Sequence, residues 1–248
     1  MDVQPRAMDV RSGERQVGTE LSDIEPKHVE RYEFAEKYCT DKDVLDAACG
    51  CGYGSHVLSR DAKSVLGVDY SADTIDYAQK YWAAKNITFK QVDINSDLTT
   101  LGKFDVVVSL ETVEHLDILI IQTCQKFHKI LRPGGLLVLS HPEKEALPGT
   151  KIEERHSVTP TLTQTIARYI RRAPYHLYKR NFSVIWGFIN SKIPRKKRKP
   201  IIYHKHFNID GESVKNSLTG IGFQIKDEWY QPGRFYYPYH VIVVEKNE

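Results

Sequence analysis

The sequence is poor in cysteine and lacks a long apolar run. It contains 248 residues and four cysteines, which form no CxxC pair. Neither a zinc ribbon nor a disulfide scaffold is therefore expected, and reduced thiols are the default. The longest strongly apolar run without a charge extends from Asn181 to Ser191, whereas a membrane span needs ~18 to 20 apolar residues. The N-terminus lacks the apolar core of a signal peptide, so we predict a cytoplasmic protein.

Internal repeats are also absent, and the composition is that of an ordinary globular chain. Apolar residues make up 41% of the sequence and charged residues 27%, which disfavours a disordered or fibrous protein. We predict a poorly ordered N-terminal segment at residues 1–23, because this segment has low hydrophobicity and no sustained period. Residues 24–248 are predicted to form a single domain with an insert at residues 143–203.

Charge is distributed unevenly along the chain. The net charge of +3 results from 35 basic and 32 acidic residues. Between Lys151 and Lys199 there are 13 basic and 2 acidic residues, a net charge of +11, which leaves −8 for the remainder. Concentrated like charge repels itself, so this asymmetry indicates an anionic partner for the insert.

Short apolar strands alternate with helical segments along much of the sequence. Five strands are predicted, at Val44–Ala48, Ser64–Asp69, Ile87–Val92, Phe104–Leu110 and Leu136–Ser140. Helices are predicted from Glu25 onwards and at Ala72–Lys85, Leu119–Leu131 and Gly211–Leu218, and a closing hairpin at Phe223–Tyr230 and Tyr239–Glu245. Strands that alternate with helices indicate a parallel sheet. The predicted fold class is therefore α/β, with a mostly parallel sheet and an antiparallel terminal hairpin.

A glycine-rich loop follows the first predicted strand. Gly50, Gly52 and Gly54 stand between this strand and a helix, where glycine lets the backbone approach a ligand closely. Asp69 closes the second strand 19 residues after Gly50, near the ~20-residue spacing at which an acid binds ribose hydroxyls. Together the loop and Asp69 predict a cofactor site. A dinucleotide and S-adenosylmethionine both suit this geometry.

From about Arg31 to Ser140 the sequence resembles the class I S-adenosylmethionine-dependent methyltransferases. The motifs that carry the resemblance are Asp46-Ala-Ala-Cys-Gly-Cys-Gly-Tyr-Gly-Ser55, Val92-Asp93-Ile94, Phe104 to Glu111, and Leu131-Arg-Pro-Gly-Gly135. The resemblance implies a seven-stranded Rossmann-like sheet and S-adenosylmethionine as the cofactor. The implied cofactor-binding residues are Arg31, Asp46, Gly50, Gly52, Gly54, Asp69, Tyr70, Asp93, Ile94 and Leu110. Tyr70 would either cover the cofactor or pack against the protein.

The same resemblance implies individual roles for several of these residues. Asp46 would lie near the methionine ammonium group, and Asp69 would bind the ribose hydroxyls. Asp93 and Ile94 would flank the adenine. Arg31 would hold the methionine carboxylate, and a solvated helix face is the alternative for this residue.

Two glutamates and a histidine, in Glu111-Thr-Val-Glu114-His115, begin where the fourth strand is predicted to end. In a turn of helix, Glu111 and Glu114 would share a face with His115 beside them. The pattern resembles ubiquinone-pathway and small-RNA 2′-O-methyltransferases, which implies a Mg²⁺ site formed by these three residues, and His204 or His206 resembles a further ligand. Without metal, His115 would be the general base, with Glu114 as its catalytic partner. The alternative is that His115 packs and Glu111 caps the turn.

The basic insert lies where class I enzymes usually place acceptor-binding elements. Its cations lie among aromatic residues, a mixture suited to anionic headgroups, phosphates or stacked bases. We predict O-methylation of a phosphate-bearing or lipid-linked small molecule or glycan, with peripheral contact at the inner face of the membrane. A further resemblance, to surface-polysaccharide-associated methyltransferases, favours a sugar hydroxyl. RNA methylation and a catalytically silent module that binds membranes or nucleic acid are the alternatives, and Arg195–Lys199 would otherwise be a solvated loop.

Overall fold

The computed structural model describes residues 15–115, 120–143, 210–231 and 238–247. Seven strands lie in these ranges: β1 Asp43–Ala47, β2 Ser64–Asp69, β3 Ile87–Gln91, β4 Phe104–Ser109, β5 Leu131–Pro142, β6 Phe223–Gln231 and β7 Tyr239–Lys246. The α-helices are α1 Pro26–Glu36, α2 Tyr53–Leu58, α3 Ala72–Tyr81, α4 Ile120–Ile130 and α5 Gly211–Ile221. Each predicted strand and helix is confirmed, with small differences at the ends.

The seven strands form one sheet in the order β3-β2-β1-β4-β5-β7-β6. The pairs from β3 to β5 are parallel, whereas β7 pairs antiparallel with both β5 and β6. The predicted Rossmann-like fold class is therefore confirmed. Chain order reverses between β1 and β4, and ligands of open α/β sheets bind beyond the carboxyl ends of the strands at such a reversal.

Helices cover both faces of the sheet, because successive strand residues point to opposite faces. Val44 and Val106 face the helices α1 to α3, where Ala35, Leu58 and Ala78 are buried. Leu45, Val107 and Leu137 face the helices α4 and α5, where Phe127, Ile130 and Leu218 are buried. Burial on both faces explains why the strands are nearly continuous apolar runs.

The fifth strand is longer than predicted and contains an irregularity. Leu131 already pairs with Phe104, but the regular register resumes only with Leu136 opposite Val106. The Arg-Pro-Gly-Gly segment between these pairs projects Arg132 toward Asp105, 2.9 Å away, and Asp43, 3.3 Å away. Asp105 also accepts a hydrogen bond from the Asp43 N–H. This segment is therefore a bulge within β5, close after the end of α4 at Ile130.

The predicted poorly ordered segment, residues 1–23, extends too far toward the C-terminus. From Arg15 onwards the chain packs on the domain: the Trp82 indole donates a hydrogen bond to the Gly18 carbonyl at 2.9 Å, and Arg15 lies 3.4 Å from Asp69. A 3₁₀ turn at Leu21–Asp23 leads into α1. These contacts join residues far apart in sequence, which local hydrophobicity does not reveal.

The predicted insert lies outside the described residues except for Glu143. His204, His206 and Arg195–Lys199 also lie outside them, as do residues 232–237 between the two strands of the predicted closing hairpin. Within the described ranges, no helix has the length and apolar character required to cross a membrane.

Candidate active site

The glycine loop connects β1 to α2 at the carboxyl edge of the sheet. Gly50 has φ +54° and Gly52 has φ +93°, in the left-handed region that glycine adopts readily. A Cβ atom at Gly52 would lie 2.6 Å from the Ala78 Cβ atom, whereas one at Gly50 would meet nothing within 4 Å. Gly52 is therefore required by backbone geometry and packing on α3. Gly50 borders open space, where a ligand has room.

Gly54, the third glycine of the loop, is required by the packing of α1 against α2. A Cβ atom there would lie 2.1 Å from the Tyr32 ring, so this residue lets α1 approach α2. Tyr53, next to it, packs edge-on against Tyr32, with ring centroids 5.4 Å apart. These two contacts are protein packing. A role of Gly54 toward the cofactor stays a prediction.

Asp69 ends β2 beside the glycine loop and is 4% exposed. Its Oδ2 atom accepts a hydrogen bond from the Gly50 N–H at 3.2 Å, and its Oδ1 atom accepts one from the Ser71 N–H at 3.0 Å. Arg15 approaches the same carboxylate and lies over the Tyr70 ring, 5.2 Å from its centroid. The structure therefore brings the loop and Asp69 together, as predicted. Arg15 was missed because the sequence around it shows no pattern.

Asp46 is fully buried beneath the loop. Its carboxylate accepts hydrogen bonds from Ser55 Oγ at 2.6 Å and from the Tyr32 hydroxyl at 3.2 Å. Burial raises the pKa of Asp46 to about 7, although both hydrogen bonds oppose the shift. Asp46 thus holds α1 and α2 to the end of β1. Its predicted contact with a methionine ammonium group stays a prediction.

Arg31 of α1 is 2% exposed, so the predicted alternative of a solvated helix face is wrong. Its guanidinium donates hydrogen bonds to Glu111 and Gln231, and it lies over the Tyr239 ring, 4.3 Å from the centroid. Gln231 is in turn oriented by hydrogen bonds to the Lys27 carbonyl and to Glu30. Gln231 and Tyr239 were missed, because only the fold brings β6 and β7 next to α1.

Glu111, Glu114 and His115 do not share a helical face. Glu111 has φ +51° and precedes the 3₁₀ turn Val113–His115, so it lies outside the turn that carries the other two residues. Its carboxylate pairs with Arg31 and lies 3.1 Å from His28 Nδ1. Glu114 is 1% exposed, whereas His115 is exposed.

These positions do not fit the predicted Mg²⁺ site. Among the described residues, the three side chains that bring potential ligand atoms within 4.8 Å of one another are His141, Glu143 and His240. The physical reason is that Arg31, a buried cation, requires the negative charge of Glu111. We therefore derive no step from Mg²⁺ at this position.

The residues predicted to flank adenine follow β3. Asp93 accepts a hydrogen bond from the Asn95 N–H at 2.8 Å, which makes it a turn-forming residue in the structure. Ile94 and Leu110 are buried, with 5% and 6% exposure, whereas Tyr70 is 64% exposed. Their contacts with a cofactor stay predictions.

The chain belongs to the methyltransferase family, because a family model described as a methyltransferase domain matches residues 40–198. With the seven-stranded sheet and its antiparallel β5-β7-β6 end, this match identifies a class I S-adenosylmethionine-dependent methyltransferase. The resemblance read from the sequence is thereby confirmed.

Curated relatives match about half of the chain. A probable S-adenosylmethionine-dependent methyltransferase of Mycolicibacterium smegmatis is 30% identical over 125 residues, which cover 48% of this chain and 45% of the relative. A ubiquinone biosynthesis O-methyltransferase of Actinobacillus pleuropneumoniae is 32% identical over 108 residues, which cover 40% of this chain and 45% of the relative. The chain therefore spans less than half the length of these relatives.

Solved structures share the fold. Magnesium protoporphyrin IX methyltransferase from Synechocystis PCC 6803 has a TM-score of 0.57 at 19% identity, and the match covers 95% of this chain and 90% of that one. The N-methyltransferase NodS from Bradyrhizobium japonicum has a TM-score of 0.57 at 16% identity, and the match covers 90% and 87% of the two chains. At these identities the likeness concerns the fold alone.

The raised pKa of Asp46 predicts a specific pH dependence of stability. The pKa changes from 3.8 to about 7 on folding, so the folded state binds more protons than the unfolded state between these values. Stability should therefore fall as the pH rises from about 4 to about 7. Asp46→Asn has no group that titrates at this position, so its stability should lack this pH dependence. The free energy of unfolding of the variant minus that of the wild type should therefore increase by roughly 1 to 4 kcal/mol as the pH rises from about 4 to about 7.

Urea unfolding at several pH values measures this difference. Asp97→Asn is the matched control, because Asp97 is exposed and its pKa is lowered by hydrogen bonds with Thr99. The control should follow the wild type between pH 4 and pH 7. A constant offset between Asp46→Asn and the wild type over that window would contradict the expectation.

Proposed function

We propose that this chain binds S-adenosylmethionine beyond β1 and β2 and transfers its methyl group to a hydroxyl group. The observation that carries the proposal is the meeting of the glycine loop with Asp69 at the reversal of strand order. Asp69 Oδ2 lies 3.2 Å from the Gly50 nitrogen, and the loop borders open space at Gly50. A carboxylate at the end of a strand beside such a loop suits the two hydroxyls of a ribose.

The residues at this edge fit the cofactor of the family. The Asp69 carboxylate would accept hydrogen bonds from the ribose hydroxyls. Arg15 would then have to move away from this carboxylate. Arg31 would bind the methionine carboxylate, which would replace the carboxylate of Glu111 as its partner. The bound cofactor supplies an electrophilic methyl group, and the chain's own task is to position the acceptor oxygen and take its proton.

His115 is the residue that we propose as the general base. It follows β4 at the same edge of the sheet and is exposed, so an acceptor can reach it. Histidine is the most frequent general base in enzymes. Glu114 lies beside it in the same turn, and its proposed role is to orient the base. Transfer to oxygen is also supported by the O-methyltransferases among the relatives.

The acceptor that we propose is a phosphate-bearing or lipid-linked small molecule or glycan. The support is the net charge of +11 between Lys151 and Lys199, against −8 elsewhere. Cations and aromatic residues together also suit peripheral contact with an anionic membrane surface. RNA remains the second candidate acceptor, since the same charge would bind a polyanion. A catalytically silent binding module is disfavoured, because Asp69 and the glycine loop are both in place.

The cofactor proposal predicts that Asp69→Ala weakens S-adenosylmethionine binding by at least about 100-fold. The substitution removes two charge-assisted hydrogen bonds of ~1.5 to 3 kcal/mol each. Calorimetry on the full chain measures the affinity. Asp97→Ala, which removes an exposed carboxylate from a neighbouring loop, should bind like the wild type. Equal affinity of the two variants, or NAD binding by the wild type, would overturn the assignment.

The catalytic proposal predicts that His115→Ala lowers turnover by about 100-fold or more and leaves cofactor affinity nearly unchanged. The reason is that a general base acts on the acceptor proton and does not bind the cofactor. Methyl transfer from labelled cofactor to extracts, read by mass spectrometry, gives both the acceptor and the rate. His128→Ala, a half-buried histidine of α4, is the control. Wild-type turnover in His115→Ala would show that His115 is a surface residue without a catalytic role.

The acceptor proposal predicts that replacing Arg195, Lys196, Lys197, Arg198 and Lys199 by glutamine abolishes binding to acidic vesicles or raises the acceptor KM. Each cation near an anionic surface contributes ~1 kcal/mol. The matched control neutralises Lys80, Lys85 and Lys90, which are exposed on the described domain. Cofactor affinity should stay constant in both variants. If vesicle binding and KM are also unchanged, the run is a solvated loop, and salt-sensitive binding of RNA alone would favour the second acceptor.

A further inference from the structure

A second group of titratable side chains lies at the ends of β5 and β7. His141 and His240 are Cα partners across β5 and β7, so their side chains point to the same face. Both are fully buried, and Glu143 beside them is 9% exposed. One ligand atom from each of the three lies within 4.8 Å of the others. The proposed methyl transfer uses none of these residues.

The two imidazole rings are each held by one nitrogen. His141 Nδ1 lies 3.2 Å from the Pro142 carbonyl oxygen, and His240 Nε2 lies 2.9 Å from Glu228 Oε2. Both partners are acceptors, so the ring nitrogen facing each of them carries the proton. The other nitrogens, His141 Nε2 and His240 Nδ1, are buried and make no hydrogen bond among the described residues. Each therefore presents a lone pair inside the protein.

This arrangement is characteristic of metal-binding histidines. A ligating histidine donates its second N–H to a carboxylate or carbonyl group, which fixes the ring and its tautomer. Here the carbonyl group of Pro142 and the carboxylate of Glu228 are these partners. A neutral ring is the form that binds a cation.

Glu143 supplies an oxygen to the same place. Its Oε1 atom accepts a hydrogen bond from the Gly211 N–H at 3.1 Å, at the N-terminus of α5, and its Oε2 atom lies 3.6 Å from His240 Nδ1. A Cβ atom at Gly211 would lie 2.4 Å from Glu143 Oε2 and 2.8 Å from His240 Nδ1. The start of α5 therefore approaches the cluster as closely as a glycine permits.

Ordinary burial of histidine accounts poorly for this cluster. Each of the two nitrogens lost its hydrogen bond to water on folding and gained none in the packed interior, which is unfavourable. Tyr230 stacks on His240 with ring centroids 4.1 Å apart, which holds the ring in place but satisfies neither nitrogen. A bound cation would satisfy both nitrogens at once.

We propose that His141 Nε2, His240 Nδ1 and the carboxylate of Glu143 bind one divalent transition-metal ion, with Zn²⁺ as the ion that suits them best. Two imidazoles and one carboxylate are a common zinc ligand set, and they leave a fourth position for water or another ligand. Imidazole ligands disfavour Mg²⁺ and Ca²⁺, which prefer oxygen. Ligands of a tetrahedral zinc ion lie about 3.3 Å apart, so the side chains need only small shifts to close on it. The ion would join β5, β7 and the start of α5.

Titration of the full chain with Zn²⁺, after removal of bound metal with a chelator, tests the site. The wild type should bind one ion per chain at this site, with micromolar or stronger affinity. His141→Ala and His240→Ala should each weaken this binding by at least about 100-fold, and Glu143→Gln by at least about 10-fold. Glu228→Gln changes the partner of His240 and also removes an ion pair with Lys215, and it should weaken Zn²⁺ binding about 10-fold. His128→Ala, a histidine of α4 outside the cluster, should bind like the wild type.

Thermal unfolding with and without Zn²⁺ distinguishes lost binding from lost folding. Zn²⁺ should raise the Tm of the wild type and of His128→Ala, and it should not raise the Tm of His141→Ala. If a histidine variant fails to fold, Glu143→Gln decides the question, because it keeps an acceptor for the Gly211 N–H. Absence of Zn²⁺ binding to the wild type, or wild-type affinity in every cluster variant, would overturn the proposal. None of these readouts depends on S-adenosylmethionine.

Discussion

The reversal of strand order between β1 and β4 is the constraint on which the rest of this structure depends. It leaves a crevice beyond the carboxyl ends of the central strands, and the chain places its polar side chains there. Asp46 ends β1, Asp69 ends β2, and Glu111 follows β4. Hydrogen bonds to each carboxylate offset the cost of burying it. The donors are Ser55 and Tyr32 for Asp46, backbone N–H groups for Asp69, and Arg31 for Glu111. Sheet topology and buried charge therefore determine the site together.

Arg31 shows how a buried charge limits what its neighbours can do. A guanidinium that is 2% exposed needs a carboxylate partner, and Glu111 supplies it with a backbone in the left-handed region. That backbone separates Glu111 from Glu114 and His115, so a ligand set that looks contiguous in sequence is divided in space. Burial also lowers the pKa of His28 to about 4, so at neutral pH its uncharged ring adds no second positive charge beside Arg31.

The sequence was sufficient to predict the order of elements, because each carries its own local signal. Apolar runs mark β1 to β5, and Asp69 follows the glycine loop at an informative spacing. Contacts between distant segments carry no such signal. Three hydrogen bonds join residues more than 50 positions apart: Arg15 to Asp69, Arg31 to Gln231, and Trp82 to Gly18. The bulge at Arg132 has no local signal for the same reason, since the pairing of Leu131 with Phe104 depends on the neighbouring strand.

The pairing of β5 with β7 illustrates the same limit. His141 and His240 are 99 positions apart in the sequence, and neither belongs to a motif with recognised ligand spacing. Antiparallel register alone makes them partners, and it places Pro142 opposite Tyr239 in the next pair. Because adjacent residues of a strand face opposite sides, Tyr239 covers Arg31 on one face while His240 meets Glu143 on the other. One strand end therefore contributes a residue to each of two clusters, one on each face of the sheet.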